Sequence, residues 1–302
     1  MNVYKKYSSN LELLYRRRLA ICSHALEKGS GIRNPRQSFG QGKANEILNF
    51  LDIYLSNGYN PGCWEFYEAN SVLNYYFELM NSNGVEIKEL IDKYQEIKKR
   101  FDNIDFNHSI CKAGVKTLNS EELLPDQQER EALQLAIKKR RSIRFFSKDP
   151  IDEKTIHEVL QLAQFAPSAC NRQPTRIYYT LDQEKNAAVD RCVPGNNSFK
   201  GEIPYYFVVT SERLAFENYE LYQWYINGGI YMGVLSLALH SFGLGGIIFQ
   251  WPNLCVPEKE IRSIVPIPEN ETIVALVGFG KIDENVKVIE ADRRSIDYYH
   301  EF

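Results

Sequence analysis

Apolar residues recur at intervals of three and four along roughly the first third of the chain, and beyond residue 129 helical and alternating stretches mix. Leu11, Tyr15, Leu19, Cys22 and Leu26 share one face of a helix, with Arg16, Arg17 and Arg18 mostly on its wetter side and Gly29 placed to end it. Residues 30–42, with their Gly and Arg, read as a loop. Ala44, Ile47, Leu48, Leu51 and Leu55 predict a second helix over 43–55, closed by Asn57-Gly58 and Asn60-Pro61-Gly62. A third helix, rich in Tyr and Phe, is expected over 65–80. Ile87, Leu90, Ile91, Tyr94, Ile97 and Phe101 give the fourth the most regular period of all. Residues 102–127 read as a connection.

A helix runs from Glu129 into Arg140, and another starts at Asp149-Pro150 and continues through Ile156, Val159, Leu160 and Ala163 until Ala166-Pro167-Ser168 stops it. Residues 176–181 alternate like a strand, 183–192 read as helix, and 204–210 as a buried strand. The longest apolar run, 219–242, has the length of a membrane span, but Gln223, Asn227, Ser236, His240 and Ser241 make it a core helix instead. Gly243-Leu244-Gly245-Gly246 should end it, with an extended piece at 247–250 and a last core strand at 272–279. The tail, 281–302, has few core positions and is expected to pack on a partner subunit. The expected class is therefore α+β, preceded by an all-helical region, with domains at 1–128 and 129–302.

Composition narrows the function. An apolar content of 44% in 302 residues gives a globular chain with a sizeable core. A net charge of -3 from 36 basic and 39 acidic residues argues against a general nucleic-acid binder. Cys22, Cys63, Cys111, Cys170, Cys192 and Cys255 show no CxxC and no Cys/His ligand spacing, so reduced thiols and no metal are expected. The polar N-terminus, with Tyr4, Lys5, Lys6 and Tyr7, points to the cytoplasm.

The candidate chemistry lies in polar clusters. No phosphate loop, GxGxxG unit, HExxH or G-x-S-x-G elbow occurs. Arg140-Arg141-Ser142-Ile143-Arg144 puts three guanidiniums and a hydroxyl into five residues, a donor set that suits phosphate oxygens. The same cluster would also serve a solvated helix end. Residues 167–174, Pro-Ser-Ala-Cys-Asn-Arg-Gln-Pro, gather amides that suit the edge of a heterocycle, or form an ordinary turn whose Asn and Ser cap backbone. His24-Ala25-Leu26-Glu27-Lys28-Gly29 is a further small polar cluster.

Taken together and in order, these clusters resemble the FMN-dependent nitroreductase family, whose members carry an RRSxR-like sequence followed by APSxxNxQP. Asn197-Ser198-Phe199-Lys200, the glycine-containing long helix and Val277-Gly278-Phe279-Gly280 continue the order, over about 129–294. The resemblance implies a nitroreductase-like fold with a mainly antiparallel sheet flanked by helices. It implies that Arg140, Arg141, Ser142 and Arg144 hold the phosphate and ribityl chain of FMN. Asn197 and Lys200 would lie near the ribityl chain and pyrimidine edge, Lys200 favouring negative charge on the reduced ring. Pro167, Ser168, Asn171 and Gln173 would come from the other subunit of a homodimer. Ile248, Phe249 and Gln250 would run past the ring with a backbone N–H near N5, and Arg293 or Arg294 would add a cation at the phosphate.

The implied activity is reduction of an organic acceptor, nitro- or quinone-like, by NADH or NADPH in two hydride-transfer steps through N5. No side chain is singled out as catalytic, because the flavin carries the redox chemistry. Two other readings stand beside it: a nicotinamide-independent flavin dehydrogenase or flavin-modifying enzyme, and a non-catalytic flavin-binding scaffold. The 24–29 cluster with Phe39-Gly40 resembles extensions of nitroreductase-like proteins linked to surface-polysaccharide metabolism, and such an extension would restrict substrates.

Overall fold

The computed structural model describes residues 10–104, 113–252 and 258–300; Cys111, Cys255 and part of the 102–127 connection lie outside these. The chain divides into two compact units, the first of residues 1–124 with Pro167–Pro174 and Glu212–Asn227, the second of the rest.

The first unit is helical: α1 (Leu11–Ser30), α2 (Gln41–Ser56), α3 (Trp64–Ser82), α4 (Lys88–Lys98) and the short α5 (Ser120–Leu123). Asn10 starts α1 by accepting from Leu13 N at 3.2 Å. The helix runs past Gly29, expected to end it, and is capped at Gly31 instead. A side chain at Gly29 would press on the Phe39 ring, its Cβ at 3.2 Å, so this glycine serves packing rather than termination. Leu19, Leu26, Ile47, Leu51, Phe66 and Leu73 form the core that the periodicity predicts. Arg16 meets Glu65 through two hydrogen bonds of 2.9 Å, binding α1 to α3. Two 3-10 turns, Ala169–Asn171 and Arg213–Ala215, pack against α1 in the same unit.

The second unit holds α6 (Gln127–Lys139), α7 (Glu153–Ala163), β1 (Thr175–Tyr178), α8 (Gln183–Cys192), most of β2 (Tyr205–Glu212) and α9 (Gln223–Ser241), then β3 (Leu244–Gln250), α10 (Glu258–Ile264) and β4 (Glu271–Lys281). The sheet order is β1-β2-β4-β3, with β1–β2 and β3–β4 antiparallel. This is the α+β class expected from the sequence, with its helical region and its antiparallel strand pairs.

β2 is buried throughout because both faces of the sheet are covered. Tyr205, Phe207 and Val209 pack with α7 and α9. Tyr206 and Val208 point the other way, toward α8 and α10. α9 begins at Gln223 rather than 219, since Tyr222 takes a left-handed φ of 65°. Gly243, at φ 72°, turns the chain out of α9, and β3 starts at once, three residues before the extended piece expected. Among the described residues, no helix is long and apolar enough to cross a membrane.

Candidate functional site

A capping box of Asp126 and Glu129 starts α6, and Arg140 ends it, donating its N–H to Ala136 O at 3.0 Å. The cluster after it divides its work. Arg141 Nη1 donates to the carbonyls of Lys138 and Arg140, so this guanidinium caps the helix end. Among the described residues no carboxylate pairs with Arg140. Ser142 and Ile143 run along the outer edge of β3, where Ile143 N donates to Gly246 O at 3.2 Å. Arg144 lies 6.0 Å from the centroid of the Phe199 ring, which stacks on Phe249.

Arg140, Arg141 and Ile143 border a pocket of about 260 Å³, whereas Ser142 and Arg144 are not among its lining residues. Lys139, Arg140 and Arg141 line it from one side and Ser236 and His240, at the end of α9, from another, with Gly245 and Gly246 beside Ile282, Val286 and Val288. Among the described residues no acid lines it, so its field favours an anion. Lys139, Ser236 and His240 are additions to the residues read from sequence. Ser236 and His240 signalled themselves only as polar positions on an otherwise apolar helix, and Lys139 only as a basic residue in the last turn of α6.

The edge of β3 also has a direction. Because Gly246 turns its carbonyl outward to Ile143, alternation turns the backbone groups of Ile248 and Gln250 outward and those of Ile247 and Phe249 toward β4. The Ile248 side chain is 45% exposed, whereas Phe249 is buried in the core. Outward N–H groups therefore belong to Ile248 and Gln250, and Phe249 serves the fold.

Asn197 is exposed; its neighbour Asn196 is buried and donates to Asp190 Oδ1 at 3.0 Å. Asp190 also accepts from Gly201 N at 3.1 Å and from Tyr206 Oη at 2.5 Å, fixing the loop that presents Asn197 and Lys200. Lys200 Nζ reaches the carbonyl of Arg191 at 3.3 Å. Arg293 Nη1 donates to the carbonyls of Ala291 and Asp292, and Arg294 covers the Tyr298 ring at 4.5 Å. Neither lines the pocket.

The 167–174 loop belongs to the helical unit. Cys170, Asn171 and Gln173 all take positive φ, of 50°, 50° and 44°, a conformation non-glycine residues adopt only when their surroundings hold them. Arg172 does most of that holding. It is 4% exposed and grips Glu220 through two bonds of 2.8 and 2.6 Å, with Ala215 O at 2.8 Å and Ala169 O at 3.0 Å. Ser168 Oγ accepts from Gln173 N at 3.0 Å, and Asn227 Oδ1 accepts from Ala169 N at 2.8 Å.

Behind the loop lies Glu68 of α3, 6% exposed, whose Oε1 accepts from Asn171 Nδ2 at 3.4 Å. Burial, reinforced by the nearby Glu27 carboxylate, pushes the Glu68 carboxyl up to about 9, so it is a neutral acid at pH 7. The folded chain then holds a proton that the unfolded chain releases between about pH 4.5 and 9, and stability falls as pH rises through that window. Glu68→Gln removes this dependence. It should stabilise the protein at pH 8 by about 1 kcal/mol, less than the full linkage because a buried carboxylate gains water on ionising. Urea unfolding at pH 5 and pH 8 measures it; an unchanged difference between the two pH values would contradict the assignment.

Comparison with known proteins bears on this half of the chain. The nitroreductase family profile matches residues 137–193. An NADH dehydrogenase of Thermus thermophilus is 29% identical over 174 residues, covering 47% of this chain and 82% of that protein. A 5,6-dimethylbenzimidazole synthase of Rhodospirillum rubrum is 38% identical over 64 residues, covering 21% of this chain and 30% of its own. Among solved structures, a Bacillus subtilis protein provisionally named a nitroreductase superposes with a TM-score of 0.51 at 15% identity, over 57% of this chain and 99% of that one, which shows a common fold. The matched segment and the relatives make this part of the chain similar to the nitroreductase family, and the Bacillus subtilis structure shares its fold.

Proposed function

We propose that this chain is an FMN-dependent oxidoreductase that draws electrons from NADH or NADPH and reduces a small organic acceptor of the nitro or quinone type. The observation that carries this reading is the acid-free pocket between the end of α6 and the edge of β3, with Lys139, Arg140, Arg141 and His240 on its walls. Such a donor set fits the phosphate of FMN. The outward N–H groups of Ile248 and Gln250 continue along the same strand edge, a placement that suits the polar rim of a ring. FMN, when bound, supplies the two-electron chemistry, so the protein's tasks are to bind, to orient and to exclude water.

Arg140 supplies the main charge-assisted contact to the phosphate, with Ser142 beside it. Arg144, fixed over Phe199, borders the ribityl chain, and Lys200 favours negative charge on the ring. Arg293 or Arg294 adds a cation at the phosphate. The active form is a homodimer in which Pro167, Ser168, Asn171 and Gln173 meet the partner's flavin. Surfaces left open support a second copy: Leu133, Leu135 and Ile137 on α6, Ile230 on α9, and Ile296, Tyr298 and Tyr299 in the tail are all exposed.

The short likeness to a protein named a synthase rather than a dehydrogenase favours a second reading, a flavin-modifying enzyme that needs no nicotinamide. One experiment separates the readings. Purified protein should show a flavin absorption band, or acquire one with FMN, and anaerobic NADH or NADPH should bleach it. A band that neither nicotinamide bleaches supports the second reading, and a protein that takes up no FMN overturns both.

A further inference from the structure

The role of the helical region is the part of the chain that the flavin reading leaves unexplained. Glu68 is its least expected residue, a carboxyl sealed into the apolar side of α3. Its Oε2 has no hydrogen-bond partner among the described residues. A leucine at such a place would avoid that cost, since burying a polar atom without a partner is unfavourable. The carboxyl's other oxygen touches the one loop of this unit that the flavin reading places at a ring edge.

We propose that Glu68 is a positioning residue for the 167–174 loop: its carboxyl holds the Asn171 amide by Nδ2 and so leaves Oδ1 turned toward Gln173 and the ligand side. This rests on the FMN reading. The amides form a directed chain, in which Gln173 Nε2 donates to Asn171 Oδ1 at 3.3 Å and Asn171 Nδ2 donates to Glu68 Oε1 at 3.4 Å. An amide donates at one end and accepts at the other, so fixing one end fixes what the other offers. The left-handed backbone at Asn171 requires outside support, and Glu68 is a side chain from the helical region that touches the tip of the loop.

The acid must also stay neutral to do this without charging the loop. The titratable groups acting on Glu68 are Glu27 of α1 and Glu65, one turn back on α3; both are acids, and both favour its protonated form. Asn171, on the loop, acts in the opposite direction. An ionised Glu68 would set a negative charge behind a loop meant to face the carbonyl oxygens at the edge of the ring. The helical region therefore acts on the flavin-binding loop from behind, by geometry at neutral pH and by charge when the acid ionises.

The test uses the full-length protein and two substitutions. FMN affinity, read by fluorescence quenching from pH 6.5 to 9.5, should weaken about threefold or more in the wild type as Glu68 ionises. Glu68→Gln, which keeps the oxygen that accepts from Asn171, should retain the neutral-pH affinity and lose the pH dependence. Glu68→Leu, which keeps the volume and removes the acceptor, should weaken FMN binding at pH 7. A second readout needs no flavin: alkylation of Cys170 in the apo protein, followed by peptide mapping, should quicken severalfold in Glu68→Leu but not in Glu68→Gln. Unchanged affinity profiles with unchanged Cys170 labelling overturn the proposal. Faster labelling in Glu68→Leu in a protein that binds no FMN at all overturns the flavin reading and leaves Glu68 as the support of the loop.

Discussion

Glu220→Ala is expected to destabilise the protein by about 3–5 kcal/mol, because it strands the guanidinium of Arg172 in the interior without its counter-charge. Arg172 is 4% exposed, and Glu220 takes both of its terminal nitrogens. What remains after the substitution is the carbonyls of Ala169 and Ala215 and the face of Phe216, 5.0 Å from the guanidinium carbon. These partners place the effect near the lower bound. The loss should carry a pH signature as well. Arg172 holds the Glu220 carboxyl below the usual range, so the ion pair's contribution is present above that range and disappears as pH falls through it. Wild type and variant should therefore converge in acid. Replacing both partners by apolar residues of similar size should recover most of the stability. Urea unfolding at pH 7 and at a pH below the lowered Glu220 range reads all three outcomes, and a loss under about 1 kcal/mol at pH 7 would mean that the pair is a solvated surface bridge.

The same pair shows where sequence reasoning stops. Arg172 lies in the middle of a polar run that reads as a turn, and Glu220 in a stretch read as the start of a long helix. Their pairing spans 48 positions, and that of Asn171 with Glu68 spans 103. Periodicity, a local property, carries no information about such partners. It could not show that residues 167–174 fold with the helical unit.

Elements with a regular helical period or an unbroken apolar run were legible. The helix at Gln183–Cys192 and the buried strand at Tyr205–Glu212 fall where apolar spacing puts them. The early part of β3 was not, because Leu244-Gly245-Gly246 has the composition of a turn. The physical reason for those glycines is crowding. A Cβ on Gly245 would stand 2.9 Å from Ile143, and one on Gly246 would stand 3.0 Å from Leu239. The short α5 was missed because four residues cannot display a period, although its capping box at Asn119 and Glu122 was there to be read. Of the candidate site, residue types were legible and their division of labour was not. Arg141 is committed to the end of α6 and Phe249 to the core, whereas Arg140 lines the pocket with no carboxylate partner among the described residues and the backbone N–H groups of Ile248 and Gln250 face outward.

That division leads to the second large effect. Arg140→Ala should weaken FMN binding by about 2 kcal/mol, roughly thirtyfold, if its guanidinium makes a charge-assisted contact with the phosphate. Arg140 lines the pocket, and among the described residues no carboxylate competes for it. Arg141→Ala should cost much less affinity, since Nη1 of that residue is already committed to the carbonyls that end α6. Its loss should fall on the stability of the helix end instead. Arg140→Lys keeps the charge but not the planar fork, and should lie between wild type and alanine. Raising the salt concentration should narrow the gap between Arg140→Ala and wild type, because screening weakens an exposed contact. Fluorescence titration with FMN at two ionic strengths measures each variant. Equal affinities for wild type and Arg140→Ala would return residue 140 to the role of its neighbour, a cation at a helix end, and would leave the phosphate to Lys139 or to the basic residues of the tail.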